Sequence, residues 1–356
     1  MNDTAATYQL TIGPQVPAWC GQQRFQLRLA DERVTDVDYQ LEPLGAMLAE
    51  QLAEATRPSV VLRLAARGGV AHTIAACHAI EKLCSLAPSR RAADLRAALA
   101  ELERAASHAA AIAAILRTAG LDGRAVPVDA IAADIVTLTQ QLSNTDAPAD
   151  LIAPGGLTRE PGSSGRSATI AELPRIAARL FAIAAQLIDH RALIRRTVQV
   201  GAISRTAAEQ YALRGPLARA CGLERDARAD TPGSIYARLG FKPITQDGGD
   251  VYARLALLLL EAVESLKLTE RLLRELEPGE VLGQLAPDLP SGEATGIAEG
   301  PQGAVRYSLA SDGRAITDVR VDTPRQIDRL LARTLLSGAL LDNIPLIVAS
   351  LDIRSL

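Results

Sequence analysis

The longest helical pattern in the chain lies at residues 92–116 and reads AADLRAALAELERAASHAAAIAAIL. Its leucines recur at spacings of three and four, which is the repeat of an amphipathic helix. Ser89 or Arg90, after a proline, is a suitable residue to begin this helix. Similar patterns fill most of residues 44–280, and the sequence therefore predicts a long helical bundle at the centre of the chain.

Strand patterns flank these helices at both ends. Residues 7–41 alternate between apolar and polar around a turn at residues 30–32, and residues 303–322 alternate around a hairpin turn at residues 311–313. Strands on either side of a run of helices predict an α+β fold. Each β segment alone is too small to be stable, so we expect the two to meet.

Three regions follow from this order. We predict an N-terminal β segment at residues 1–43, a central helical bundle at residues 44–290, and a C-terminal region at residues 291–356 that packs on the N-terminal segment. The C-terminal region should hold a β hairpin, a helix after Pro324, and a short buried strand or turn at residues 342–353.

Composition excludes several classes of protein. Aromatic residues make up only 3% of the chain, so alanine and aliphatic residues must build the core. A net charge of −3 without a basic block argues against a nucleic-acid-binding protein. The N-terminus lacks the features of a signal peptide, and the apolar runs fall short of the roughly 20 residues that a membrane span needs. We therefore expect a cytoplasmic protein.

The four cysteines are Cys20, Cys77, Cys84 and Cys221, and none stands in CxxC spacing. Scattered cysteines without a signal peptide are typical of reduced thiols. Cys77 and Cys84 share one helical face, where two small buried residues are the simplest interpretation.

The stretch VLRLAARGGVAHTIAACHAIEKL, residues 61–83, is the first candidate site. It passes from Arg63 through a glycine pair into a helix with His72 and His78. Two metal ligands on one helix stand at i and i+4, whereas these histidines are six residues apart. The stretch therefore favours a structural helix over a metal site.

A polar stripe is the second candidate. Glu101, Arg104 and His108 recur at spacings of three and four, so they share one helical face. Such a triplet is either a solvated stripe or an inward-facing polar cluster, and spacing alone favours the solvated stripe. A glycine pair followed by Arg159 is a loop, because no nucleotide-binding, HExxH or Ser-His-Asp motif accompanies it.

Eight stretches together resemble one family. The most specific part is residues 214–255, which keep the family's glycines, arginines and acids at matching spacings. The stretches are IGPQVPAWCG (12–21), HAIEKL (78–83), AELERAASH (100–108), PGGLTRE (154–160), RTVQVGAIS (196–204), RGPLARACGLERDAR (214–228), GGDVYARL (248–255) and SDG (311–313). They resemble the large catalytic subunit of respiratory NADH–quinone oxidoreductase, or complex I, and the related large subunits of energy-converting nickel–iron hydrogenases.

This resemblance implies a helical bundle beside a small β domain formed by both ends of the chain. It also implies a small iron–sulfur subunit and membrane subunits as partners, and a place at the inner face of the cell membrane. The chain itself would bind no cofactor, and quinone is a possible substrate. Arg63 and His108 match residues near the partner's terminal iron–sulfur cluster. Positive or hydrogen-bonding groups there would raise the potential of the cluster, and the stripe with His108 becomes a buried, partner-facing one.

The acceptor side departs from the family pattern. The quinone-headgroup histidine falls at Cys20, the headgroup tyrosine at Ala66, and the aspartate that pairs with the histidine near Thr118. The hydrogenase cysteine pairs would fall at Ala65 and Gly68, and near the last four residues of the chain, where no cysteine stands. The sequence therefore predicts an electron-transfer subunit with an altered or lost quinone site, or alternatively a structural or assembly subunit.

Overall fold

The computed structural model describes residues 7–13, 23–41, 50–231, 233–283, 289–324 and 327–353. The strands in these ranges are β1 (Thr7–Ile12), β2 (Gln23–Ala30), β3 (Arg33–Leu41), β4 (Ile152–Ala153), β5 (Gly156–Leu157), β6 (Ser291–Gly300), β7 (Gly303–Asp312) and β8 (Ile316–Asp322). The helices are α1 (Pro58–Arg67), α2 (Val70–Leu83), α3 (Arg90–Thr118), α4 (Asp122–Ser143), α5 (Ser163–Ile188), α6 (Arg191–Thr197), α7 (Arg205–Gln210), α8 (Gly215–Arg219), α9 (Ala227–Asp230), α10 (Ile235–Arg238), α11 (Val251–Arg274), α12 (Arg329–Leu336) and α13 (Ile344–Ala349).

Helix α3 is the axis of the bundle. The side chain of Ser89 caps it by accepting a hydrogen bond from the Ala92 amide, as the sequence predicts. It packs against α4 and α11, and α5 packs against these two in turn. Alanine and aliphatic residues face inward on almost every side of α3, so neighbouring backbones approach closely and the helix is buried along its length.

Helix α11 forms the second wall of the bundle. Asp250 begins it by accepting a hydrogen bond from the Ala253 amide. Its leucines turn toward α3, and Leu255, Leu266 and Leu273 are all buried. The sequence pattern predicted this helix, and the structure confirms it. Within the described ranges, no helix combines the length and the apolar character needed to cross a membrane.

Two antiparallel sheets of three strands lie outside the bundle, in the orders β1-β2-β3 and β6-β7-β8. The second sheet packs on α2. The contact depends on Gly296, because a Cβ there would overlap the carbonyl oxygen of Ala75 and the backbone of His78 and Ala79.

The two ends of the chain meet through a helix. Helix α12 packs on β3, and the amide of Val34 donates to the carbonyl of Ala339 at 3.0 Å. The α+β class predicted from the sequence is confirmed. The two β segments nevertheless form separate sheets, because the second one buries its apolar face on α2 instead of pairing with the first.

Three local predictions differ from the structure. Residues 344–349 form helix α13, with Pro345 in the first turn, where proline is well tolerated. Residues 291–300 form a strand that pairs with β7 along its whole length, although the sequence left most of them in an irregular stretch. Helix α5 begins at Ser163, so Pro174 lies inside it and not in its first turn.

We predict that Gly296→Ala lowers the free energy of unfolding by about 1–3 kcal/mol, because the added methyl group must push β6 away from α2. Urea denaturation measures the change. The control is Gly123→Ala in α4, where an added Cβ meets nothing within 4 Å; this variant should keep or slightly raise the stability. Equal stabilities for the two variants would contradict this account of the contact.

Candidate acceptor cleft and the buried charge network

The glycine pair between α1 and α2 has a steric cause. Gly69 has a φ of +101°, which side-chain-bearing residues rarely adopt, and a Cβ there would overlap the carboxylate of Glu103. That carboxylate caps α2: its oxygens accept the amides of Val70 at 2.7 Å and Ala71 at 3.1 Å. The pair therefore lets an acid of α3 reach the positive end of α2.

A cleft of about 570 Å³ opens beside this loop. The α1–α2 loop, the second half of α3, α4 and the β6–β7 turn form its walls, and most of the lining side chains are small and apolar. At the β6–β7 turn, the amide nitrogen of Gln302 donates to Ser107 Oγ at 3.2 Å and to Asp352 Oδ2 at 2.7 Å. The last described residues of the chain therefore reach the same region.

The structure places the predicted acceptor positions as follows. Ala66 and Gly68 line the cleft, and Ala65 is buried behind it. Thr118 lies at the far end of α3, where its hydroxyl donates to the carbonyl of Ala114, and it is not part of the lining. Cys20 lies outside the described residues.

Arg63 and His108 do not share a surface. Arg63 is exposed on α1 and forms no ion pair among the described residues. His108 is fully buried on α3, and its Nε2 lies 3.0 Å from Glu261 Oε2 of α11. The prediction that both side chains face a partner is therefore wrong for His108, and the solvated stripe is wrong too.

The stripe instead enters a charge network centred on Arg219, whose side chain is 0% exposed. Its guanidinium donates to Glu261 Oε1 at 2.5 Å, to Glu261 Oε2 at 3.1 Å and to Glu299 Oε1 at 2.9 Å. A third carboxylate, that of Asp226, lies 3.2 Å away. One arginine thereby joins α8, α11 and β6.

A second arginine extends the network. Arg228 Nη1 lies 3.0 Å from Glu101 Oε2 on α3, and its Nε and Nη2 donate to Asp226. Glu101 also accepts the hydroxyls of Tyr236 at 2.7 Å and Ser265 at 2.6 Å. The acid of the stripe is thus fully partnered inside the chain.

The third arginine reaches the edge of the cleft. Arg104 donates to the carbonyl oxygens of Gly300 at 2.7 Å and Glu299 at 2.6 Å. These residues precede the β6–β7 turn that lines the cleft. The network therefore fixes the position of one cleft wall.

Electrostatics keep most of these groups ionised. Burial alone would raise the pKa of Glu261 and Glu101, but the neighbouring guanidiniums outweigh it, and both pKa values lie below their usual range. Burial lowers the pKa of His108, against the effect of Glu261, and the ring is neutral at pH 7. Burial and the nearby Asp226 raise the pKa of Glu299. Four carboxylates thus face three guanidiniums across a dry interior.

The donors of the cleft do not fit a nickel–iron centre. Its described lining contains no cysteine and no histidine, whereas such a metal pair needs thiolates. Cys77 and Cys221 are buried elsewhere, and burial raises the pKa of both thiols, to about 12 and about 11. No cluster of three potential metal ligands occurs in the described part of the chain.

Comparisons with known proteins define the class. The family model "Respiratory-chain NADH dehydrogenase, 49 Kd subunit" matches residues 133–287. A chain of a membrane-bound sulfane sulfur reductase, an archaeal respiratory membrane complex, superposes with a TM-score of 0.88 at 21% identity, covering 99% of this chain and 98% of that one. The fold is thus shared with a chain of a respiratory complex.

Curated relatives give the family. The matching NADH-quinone oxidoreductase subunit of Dehalococcoides mccartyi strain 195 is 30% identical over 318 residues, covering 86% of this chain and 85% of the relative. The carbon monoxide-induced hydrogenase of Rhodospirillum rubrum is 27% identical over 355 residues, 98% of both chains. The chain belongs to the family of the complex I large catalytic subunits and the nickel–iron hydrogenase large subunits, and it is a complex I-like subunit.

Sequence reasoning gave Glu261 and Glu299 no role. A signal existed for Glu261, because it is the one acid that interrupts the apolar run VYARLALLLLEAV at residues 251–263. A lone acid in such a run is usually buried with a partner. Glu299 lies in a stretch without a clear pattern, and its partners come from distant parts of the chain.

We predict that Glu261→Gln lowers the free energy of unfolding by about 3–5 kcal/mol, because it leaves Arg219 buried with an incomplete set of acids. Chemical denaturation measures the loss. The matched control is Glu172→Gln, which breaks an exposed pair with Arg175 and should change the stability by less than about 1 kcal/mol. A similarly small effect for Glu261→Gln would contradict the role of the network.

His72 should make the folded state sensitive to acid. Burial lowers its pKa from 6.5 to about 4, and its Nδ1 lies 3.1 Å from the Tyr307 hydroxyl. The unfolded chain therefore takes up a proton in this range and the folded chain does not, so stability is complete above pH 6.5 and falls as the pH decreases toward 4. One histidine contributes roughly 1.4 kcal/mol per pH unit.

Unfolding measured between pH 7 and pH 4 should show this loss, and His72→Gln should reduce its slope. Parallel pH profiles for the two proteins would exclude His72 as a source of the acid sensitivity.

Proposed function

We propose that this chain is the electron-transfer subunit of a complex I-like membrane assembly and docks beside a small iron–sulfur subunit at the face that carries Arg63 and the cleft. Two features support the proposal. Arg63 is an exposed cation without an ion-pair partner in the described ranges, and it lies three residues before Ala66 in the cleft wall. A partner that covers this face would bring its cluster close to both.

The role of Arg63 in this proposal is electrostatic. An iron–sulfur cluster becomes more negative when it is reduced, and a nearby guanidinium stabilises the reduced form. No acid in the described ranges neutralises the charge of Arg63, which is therefore available to a partner. His108 has no part in this step, because it is buried against Glu261.

The acceptor site is altered in this proposal. The cleft keeps the volume of a small-molecule pocket, but Ala66 can neither donate a hydrogen bond nor move a proton. The polar groups at the inner end, Ser107 and Gln302, are hydroxyl and amide groups that can orient an oxygen without acting as acids or bases near pH 7. A quinone bound there would take its protons from another source.

A structural protein without a redox role is the alternative. The alanine at position 66 favours it, because the cleft would then be a remnant that only shapes the contact with the partner. The two functions differ in one respect: only the electron-transfer function needs the charge of Arg63 close to a cluster.

Co-purification tests the docking. A tag on this chain, with the neighbouring genes co-expressed, should recover a small iron–sulfur subunit, and metal analysis of the complex should show iron and sulfide without stoichiometric nickel. Recovery of this chain alone would contradict the proposal, and stoichiometric nickel would overturn the altered acceptor site.

Charge reversal locates the docking face. Arg63→Glu should reduce the recovered iron–sulfur subunit at least tenfold at low salt, because it puts a negative charge against the partner. Arg320→Glu, on the exposed face of β8, is the matched control and should leave the recovery unchanged. If both variants recover the partner equally, the docking face lies elsewhere.

A further inference from the structure

A second cavity lies along the first half of α3. Its volume is about 320 Å³, and it shares no lining residue with the acceptor cleft. Helices α2 and α3, strand β6 and residues 227–236 enclose it. This volume falls within the range of known ligand pockets, about 300–1,000 Å³.

Small side chains and the charge network together create the cavity. Ala93, Ala97 and Ala100 present one face of α3 to it, and their methyl groups are too short to fill the space. On the opposite wall, Arg228 and Tyr236 are held by their bonds to Glu101 and cannot collapse inward. The cavity is therefore a fixed feature of the interior.

Most of the polar groups around the cavity have their hydrogens engaged within the chain. The hydroxyl of Tyr236 donates to Glu101, that of Ser234 to the Arg228 carbonyl at 2.8 Å, and that of Thr231 to a carbonyl of α9 at 2.7 Å. The remaining lining is largely aliphatic. A ligand of this cavity must therefore have an apolar body.

His78 is the exception. Its Nδ1 lies 2.9 Å from the carbonyl oxygen of Ile297. A carbonyl only accepts, so Nδ1 carries the hydrogen and Nε2 presents a lone pair. Burial lowers the pKa of His78, which keeps the ring neutral. Among the described residues, Nε2 has no hydrogen-bond partner.

Arg96 supplies the complementary group. It lines the same cavity, and its Nη1 is buried without an acceptor among the described residues. Its charge is already balanced by Glu81, 2.7 Å from Nη2, so the cavity has no excess positive charge to attract an anion.

We propose that this cavity is a binding site for a small neutral molecule with an apolar body and one hydroxyl group. The hydroxyl donates to Nε2 of His78, and its oxygen accepts from Nη1 of Arg96. The proposal is independent of the electron-transfer function, because the site involves neither Arg63 nor the acceptor cleft.

The first test uses two probes of similar shape. 4-Fluorophenol has the hydroxyl and 4-fluorotoluene lacks it, and ligand-observed ¹⁹F NMR measures both against the complex purified through this chain. We expect 4-fluorophenol to bind at least tenfold more tightly. No binding of 4-fluorophenol, or equal binding of both probes, would overturn the proposal without a variant.

The second test locates the site. Ala97→Leu fills the cavity and should abolish 4-fluorophenol binding, whereas Ala110→Leu makes the same change in the acceptor cleft on the same helix and should leave it unchanged. His78→Phe should remove the preference for the phenol. Circular dichroism verifies that each variant is folded. Retained binding in Ala97→Leu, or an equal loss in Ala110→Leu, would assign the probe to another place and overturn the proposal.

Discussion

The buried ion pair between Arg219 and Glu261 is the interaction on which the rest of the fold depends. Its two hydrogen bonds join the end of α8 to the middle of α11, and Glu261 also holds His108 of α3. Removing such charges from water costs several kcal/mol per ion, and the cost is offset only when each charge is fully partnered. The elements that supply the partners must therefore assemble together, which selects one arrangement of helices and strand.

This constraint shapes both the acceptor cleft and the second cavity. Arg104 uses the same network to hold the turn after β6, which is one wall of the acceptor cleft. Arg228 and Tyr236 hold the wall of the second cavity. Between them runs α3, whose alanines leave space where larger residues would fill it. A chain with few aromatic residues thus keeps open pockets because charges, and not bulky side chains, fix the distances between its elements.

The sequence was sufficient for the elements with a regular pattern. The period of α3 and α11, the cap at Ser89 and the hairpin at residues 311–313 all predict what the structure contains. It was insufficient for the direction in which the polar stripe faces, because the same spacing serves an exposed stripe and a buried one. That direction depends on Arg219 and Arg228, more than 100 residues away in the sequence.

The departures from the family pattern lie in the cleft and not in the network. Ala66 and Gly68 stand where the family has groups that act on an acceptor or hold a metal, whereas Glu101, Arg104 and His108 keep the contacts that hold the bundle. The scaffold has thus been retained while the chemistry beside it has changed. The exposed charge of Arg63 is the remaining group that distinguishes an electron-transfer role from a structural one.

A redox titration of the partner's iron–sulfur cluster, followed by electron paramagnetic resonance in the assembled complex, tests this most directly. With Arg63→Ala the midpoint potential should become more negative, and Arg63→Lys should restore part of the change, because a positive charge stabilises the reduced cluster. An unchanged potential in Arg63→Ala, with the partner still bound, would contradict the electron-transfer role and leave the structural one.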